Sequence, residues 1–222
     1  MYILAIDTAT NSGGVALSRN SEIIGEIMLK TPLEYSDRLL GIIEFLLRQL
    51  KINIDDIACF SVAVGPGSFT GLRIGIAAVK GFCHALERPV VDVSTLQALA
   101  WTYRWAGEPV APMIDARRQQ IYGAVYAHPQ PQESHLVMPE VVLPPAEWLS
   151  TLPADSYIFV GDGAQMYSRT VLAHHPNSRL LRTDNRILSA LCEIAYWRMT
   201  RGEVLPASRL KAHYIRPSDA EL

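Results

Sequence analysis

Two strand-end aspartates and two glycine turns carry most of the chemistry this chain offers. Asp7 closes the apolar segment Tyr2 to Ile6 and is followed by Thr8, Ala9 and Thr10. Open α/β sheets place ligand-binding groups at such strand ends, and a turn aspartate that bonds nearby backbone N–H groups has the same appearance. Asp115 ends a second apolar segment, Val110 to Ile114, in the corresponding place. Gly161-Asp162-Gly163 is a turn whose bare backbone lets a ring or ribose approach. Asp7, Thr8, Asp115, Gly161 and Gly163 thus form a candidate constellation for a nucleotide with magnesium.

The other glycine turn lies in residues 57 to 87. Ile57 to Val64 reads as a buried strand, Gly65-Pro66-Gly67-Ser68 stops it, and a helix dense in small residues follows with Thr70 as its expected N-cap. Gly71, Gly75 and Ala78 recur three or four residues apart, which leaves one helix face nearly bare. A mid-helix glycine costs roughly 1 kcal/mol against alanine, so something must approach closely: another helix, a strand or a ligand. Counting excludes two familiar motifs. The third glycine of a dinucleotide fingerprint arrives one residue late, at Gly71, and no lysine precedes Lys80 to make a P-loop. What remains is either an anion held by N–H groups at the helix start or a purely structural turn.

Nucleophiles and metal ligands are poorly placed. His84, His128, His135, His174, His175 and His213 make no H-E-x-x-H and no H-x-x-x-H pair, and read as surface residues. Ser68 has no histidine nearby in sequence, and there is no G-x-S-x-G elbow. Cys59, Cys83 and Cys192 are widely separated, as buried thiols in a reducing cytoplasm would be. No metal site is expected. Across 222 residues the formal net charge is −2, which argues against a chain that grips nucleic acid unaided. Hydrophobic residues make up 49%, ample for a core, yet no apolar run approaches the ~18 residues of a membrane span. MYILAIDTAT lacks the basic region of a secretory signal, so a cytoplasmic protein is expected.

These segments need a scaffold. Tyr2 to Ile6, Val15 to Leu17 and Glu22 to Leu29 predict three strands, broken by Thr31-Pro32 before a helix from Leu33 to Leu50. The strand and helix of residues 57 to 87, a strand at Val90 to Val93 and a helix from Thr95 to Trp105 complete the first half. The same order recurs: strands at Val110 to Ile114, Gln120 to Ala127 and Leu136 to Val142, a helix at Ala146 to Leu152, a strand at Tyr157 to Val160, and helices at Gln165 to Ala173 and Ile187 to Thr200. A duplicated β-β-β-α-β-α unit predicts an α/β protein of two similar lobes around a cleft, residues 1–107 and 108–222.

The helix from Leu33 to Leu50 gathers Leu39, Leu40, Ile43, Leu46, Leu47 and Leu50 on one arc, while Ile42 and Phe45 fall among its polar residues. A second apolar patch of that kind predicts a protein interface. With the small-residue helix as its neighbour, the expected docking residues are Leu39, Ile42, Phe45, Leu46, Gly71, Arg73, Ile74, Gly75 and Ala78.

Together, ILAIDTAT, YSDRLLGIIEFLL, VAVGPGSFTGLRIGIAAVKG, VVDVSTLQALA, MIDARRQQIYGAVY and HYIRP resemble the TsaB family, also called YeaZ, over most of the chain. The most specific block is GPGSFTGLRIG. The resemblance implies the fold of actin and the sugar kinases, with Asp7 and Thr8 in the first phosphate motif, Asp115 in the second and Gly161 to Ala164 in the adenosine motif. ATP or ADP with magnesium, at the cleft or the partner interface, is the cofactor it implies. It also implies a role in making threonylcarbamoyladenosine beside the anticodon of tRNAs that read codons starting with A. There the transfer belongs to a paralogue, TsaD, whose metal-binding His-x-x-x-His falls on Thr95 and Leu99 of this chain. The implied role is a non-catalytic subunit that pairs with TsaD, acts with the ATPase TsaE, dimerises when alone and meets tRNA only through the complex. Tyr35 replaces a histidine often found at the start of the interface helix. Two other classes remain open: an independent ATP-dependent kinase or ATPase using Asp7 and Asp115, and a glycoprotease-like peptidase.

Overall fold

Apolar runs in the first 28 residues build an antiparallel meander of β1 (Tyr2–Asp7), β2 (Gly14–Arg19) and β3 (Glu22–Met28), with β1 and β2 buried along most of their length and Asp7 opposite Gly14 at the first turn. The computed structural model describes residues 1–30 and 38–216. The expected helix start at Leu33, and Tyr35, lie outside the described residues. Helix α1 (Leu39–Leu50) leads through a 3₁₀ turn at Ile54–Asp56 to β4 (Ile57–Gly65), which runs parallel to β1. Then come α2 (Phe69–Leu86), β5 (Val90–Ser94) and α3 (Thr95–Trp101).

The second half repeats this plan. Strands β6 (Val110–Asp115), β7 (Ile121–Ala127) and β8 (His135–Leu143) form an antiparallel meander, followed by α4 (Pro145–Thr151) and by β9 (Ile158–Val160), parallel to β6. The expected helix at Gln165 to Ala173 is two short ones, α5 (Asp162–Met166) and α6 (Ser168–His174), broken at Tyr167. A two-residue strand β10 (Arg179–Leu180) and the long α7 (Leu188–Thr200) follow, and a 3₁₀ turn at Ala207–Arg209 is the last element among the described residues. The sheet orders are β3-β2-β1-β4-β5 and β8-β7-β6-β9-β10. Equivalent strands hold equivalent places, so the duplication expected from element order is present in the topology.

The division of the chain differs from the expected 1–107 and 108–222. One unit comprises Met1–Ala98 and Arg186–His213, the other Leu99–Asn185 and the residues from Tyr214. The cause is α7, which is apolar on most sides and packs on β1, β2, β4 and β5 instead of on the second sheet. Ser61 Oγ donates to the Leu191 carbonyl (3.1 Å), and Leu205 pairs with Val90 through both backbone bonds (2.8 and 2.9 Å). The first unit's core joins Leu4, Leu17, Leu39, Leu47, Phe60 and Val79; the second's is built around Met113, Ile121, Trp148, Phe159 and Val171.

Candidate functional site

In the first unit the strand-end loop and the start of α2 close on each other. Thr8 Oγ1 donates to the Gly71 carbonyl (2.7 Å), and Ser68 N–H donates to the Ala9 carbonyl (2.9 Å). A Cβ on Gly71 would lie 1.8 Å from the Thr8 carbonyl oxygen, and one on Gly75 would lie 2.3 Å from Thr8 Oγ1. The approaching group is therefore the loop after β1. Both glycines are buried under it, which removes them from the expected docking face. The helix cap is Ser68, whose Oγ accepts from Gly71 N–H (3.2 Å), in place of Thr70; the chain turns helical as soon as the glycine turn ends.

Asp7 serves the same loop. Its Oδ1 accepts from Ala9 N–H (2.8 Å) and Thr10 N–H (3.2 Å), and its Oδ2 from Thr10 Oγ1 (2.5 Å). The side chain is fully buried, so as folded it offers no free face to a magnesium ion. Burial pushes the carboxyl up from its ordinary value, against the opposing pull of the Thr10 and backbone hydrogen bonds. A carboxyl whose pKa rises on folding contributes stability that is full below the unfolded pKa and is lost as pH rises through the native one. Asp7→Asn keeps the acceptor for both backbone donors and removes this titration. Its stability relative to wild type is expected to climb from about pH 4 upward, as followed by thermal melts at a series of pH values. A relative stability that falls over that range would show that the ionised carboxylate is favoured in place.

The second unit brings Asp115, Gly161, Asp162 and Gly163 together at the carboxyl ends of β6 and β9. Asp162 Oδ1 accepts from Asp115 N–H (3.0 Å) and Gly163 N–H (2.8 Å), and Asn185 Oδ1 accepts from Asp162 N–H (3.1 Å). Gly161 has φ 103°, and a Cβ there would lie 2.2 Å from the Met113 carbonyl oxygen. The space its missing side chain leaves is filled by backbone of β6. Asp115 Oδ1 accepts from Arg117 N–H (2.9 Å) and so caps the β6–β7 hairpin. In that hairpin Arg117, Arg118 and Gln119 are all left-handed, with φ 57°, 51° and 58°. Left-handed backbone costs an L-residue roughly 1–2 kcal/mol each. Sequence patterns bracketed this turn between two strands but gave no sign of its left-handed backbone, because no glycine or asparagine marks it.

The outer face of α1 and α2 departs from the drawn arc. Leu39, Ile43, Leu46 and Leu47 are buried in the core, so Leu39 and Leu46 present no docking surface. Ile42 is half-buried and packs on the same core. Leu40, expected in the core, is 61% exposed, because it sits at the arc's margin on the first turn; Phe45 is 48% exposed as expected. On α2, Arg73 is exposed, with its guanidinium 4.0 Å from the Phe69 ring centroid, while Ile74 and Ala78 are half-buried. A groove of about 690 Å³ runs beside α1, lined by Leu40, Ile43, Leu47, Ile52, Ile54 and Phe82 with Glu44, Arg48 and Lys51 at its side. Sequence reading missed it because the 3₁₀ turn that supplies Ile54 carries no helical period.

Thr95 and Leu99 are buried, at the first and fifth positions of α3. His175 corrects the surface reading of the histidines: it is buried, its Nε2 bonds the Leu149 carbonyl (3.0 Å), and its ring meets Tyr157 edge-on at 5.4 Å. All three cysteines are buried free thiols. Among the described residues no helix is long and apolar enough to cross a membrane, and no three of His, Cys, Asp and Glu are grouped to hold a metal.

Comparison with known proteins gives these features their context. Residues 30–196 match the family model described as TsaD, tRNA N6-adenosine threonylcarbamoyltransferase. The tRNA threonylcarbamoyladenosine biosynthesis protein TsaB of Escherichia coli is 31% identical over 97% of this chain and 95% of its own length. The TsaB of Bacillus subtilis is 31% identical over 77% of this chain and 75% of its own. The chain belongs to the TsaB family. The solved structure of YeaZ from Pseudomonas aeruginosa superposes on this TsaB-family chain with a TM-score of 0.83, at 30% identity, covering 96% of this chain and 99% of that one. A ROK hexokinase from Thermus thermophilus shares the fold alone, with a TM-score of 0.53 at 12% identity over 91% of this chain and all of that one. The fold is thus that of the actin-like ATPases and sugar kinases.

Proposed function

We propose that this chain is a partner subunit in threonylcarbamoyladenosine biosynthesis on tRNA, pairing with a TsaD transferase and acting with the ATPase TsaE in the cytoplasm. The observation that carries the proposal is identity to an E. coli TsaB across nearly the whole chain, together with the match to the TsaD family model. In this reading the subunit is not the catalyst. The burial of Asp7 and the buried Thr95 and Leu99 support that assignment, since none of the three offers a reacting group to substrate. ATP or ADP with magnesium is then handled at the partner interface or by the partners, and tRNA is modified on TsaD.

Docking is assigned to the outer face of α1 and α2. Leu40 lines an apolar groove beside α1, Phe45 and Arg73 are exposed on α1 and α2, and a related helix pair from TsaD, or from a second copy when TsaD is absent, buries that surface by helix packing. Depleting the protein is expected to lower threonylcarbamoyladenosine in bulk tRNA, read by mass spectrometry of digested tRNA. Unchanged nucleoside after verified depletion would remove the pathway assignment. Capture of TsaD by the tagged chain from extract tests the pairing separately.

A further inference from the structure

His128 follows β7 and opens the loop that leads to β8, and its ring is held where a second proton finds no partner. Its Nδ1 bonds the Glu133 carbonyl (3.1 Å). A carbonyl only accepts, so Nδ1 carries the hydrogen and Nε2 the lone pair. Nε2 is enclosed and, like Ser134 Oγ in the same loop, has no hydrogen-bond partner among the described residues. The ring meets buried Trp101 of α3 edge-on, with centroids 6.1 Å apart.

The cations around the ring oppose that proton. From the 3₁₀ turn Arg104–Ala106, the Arg104 guanidinium lies 5.0 Å from the Trp101 ring centroid and 4.8 Å from that of Trp105, and its charge acts on His128. From β8, His135 adds a second positive charge when it is protonated. The Glu133 carboxylate is turned to His135, 3.6 Å from its Nε2, while its carbonyl serves His128. Burial above all, then the charges of Arg104 and His135, hold the imidazole below its ordinary pKa against the pull of the Glu133 hydrogen bond. The loop is the part able to move. Pro129 and Pro131 bring it no backbone donor, and it is crossed by the bond from Glu133 N–H to the Gln130 carbonyl (3.0 Å), above the pairing of Ala127 with His135.

We propose that His128 is a proton-operated latch: its neutral ring holds the β7–β8 loop against Trp101, and protonation releases residues 128–135 while the sheet stays intact. In the closed loop the ring stays neutral; in the open loop it stands in water and titrates at about 6.5. The open form therefore binds more protons, and opening becomes easier as pH falls through that value. The full effect is about tenfold in the opening equilibrium between pH 7.5 and 5.5. This response is local, and its sign is opposite to that of Asp7, whose burial favours the fold at low pH.

The test follows the full chain by NMR from pH 7.5 to 5.5, with the His128 ring signals assigned through their proximity to Trp101. The folded ring is expected to titrate below about 6.5. Amide exchange of residues 128–135, corrected for its intrinsic pH dependence, should speed up by as much as about tenfold over the same range, while amides of β6 and β9 hold steady. His128→Asn keeps a donor for the Glu133 carbonyl and cannot take up a proton, so its loop should exchange at one corrected rate throughout. If that variant does not fold, the wild-type ring titration and the contrast between loop and sheet decide the matter. A ring midpoint at or above the ordinary value overturns the proposal, as does loop exchange that ignores pH or that speeds up equally in His128→Asn. Acceleration shared by β6 and β9 overturns it too, because acid would then be unfolding the whole unit.

Discussion

Gly71→Ala is expected to destabilise the first unit by about 3 kcal/mol or more, enough to unfold a marginal protein at growth temperature. The added carbon would sit 1.8 Å from a backbone oxygen of Thr8, and backbone cannot rotate away as a side-chain end can. Relief requires moving α2 off the loop after β1, which breaks the Thr8 Oγ1 bond to Gly71 and disturbs Asp7, the fixed point of that loop. Gly81→Ala is the control. It lies in the same helix, and a Cβ there meets nothing within 4 Å. That substitution should stabilise by up to about 1 kcal/mol through helix propensity alone. Urea unfolding of both variants decides the matter; similar midpoints would mean that the loop yields and that α2 does not depend on close approach.

Phe45→Asp is expected to weaken pairing with TsaD more than a hundredfold while leaving the chain folded. A carboxylate enclosed between packed helices without a partner costs several kcal/mol, whereas on the free chain the same residue stands in solvent. Phe45 is half-exposed, and the Arg48 guanidinium lies 5.8 Å from its ring centroid. Leu40→Asp gives the complementary reading. The two residues are five positions apart, about 140° around α1, so the two variants report on different sides of that helix. Analytical ultracentrifugation with circular dichroism, for each variant with and without TsaD, separates folding from docking. Normal pairing by both variants would place the interface elsewhere, and an unfolded Phe45→Asp would return that ring to the core.

Much of this molecule was legible in its sequence because strands and helices carry periods. The apolar run of Tyr2 to Ile6, the alternation of Glu22 to Leu29, the turn at Gly65 to Ser68 and the repeat of element order predicted the duplicated sheets. What escaped were features decided by tertiary contact. Nothing local in Leu188 to Thr200 says that the last long helix serves the first sheet, and Leu40 could not be told from Leu47 by angle alone. The glycines of α2 were read correctly as a sign of close approach, but the identity of the neighbour, Thr8, lay in another part of the chain. Asp7 shows the same limit from the other side. Its position suggested a ligand, and only burial with its local hydrogen bonds reveals a carboxylate committed to its own loop.

The return of α7 to the first sheet has a consequence for how the protein is made. Ser61 bonds a residue 130 positions away, and Cys192 Sγ approaches the Ala16 carbonyl across 176. Such separations raise contact order and slow folding. During synthesis at about 5–20 residues per second, β1 to β5 are complete long before Leu188 to Thr200 leave the ribosome. The nascent first sheet therefore waits for several seconds with the face that α7 will cover still open, while the strands and short helices between Leu99 and Asn185 are already in hand. The sheet made first is the sheet covered last.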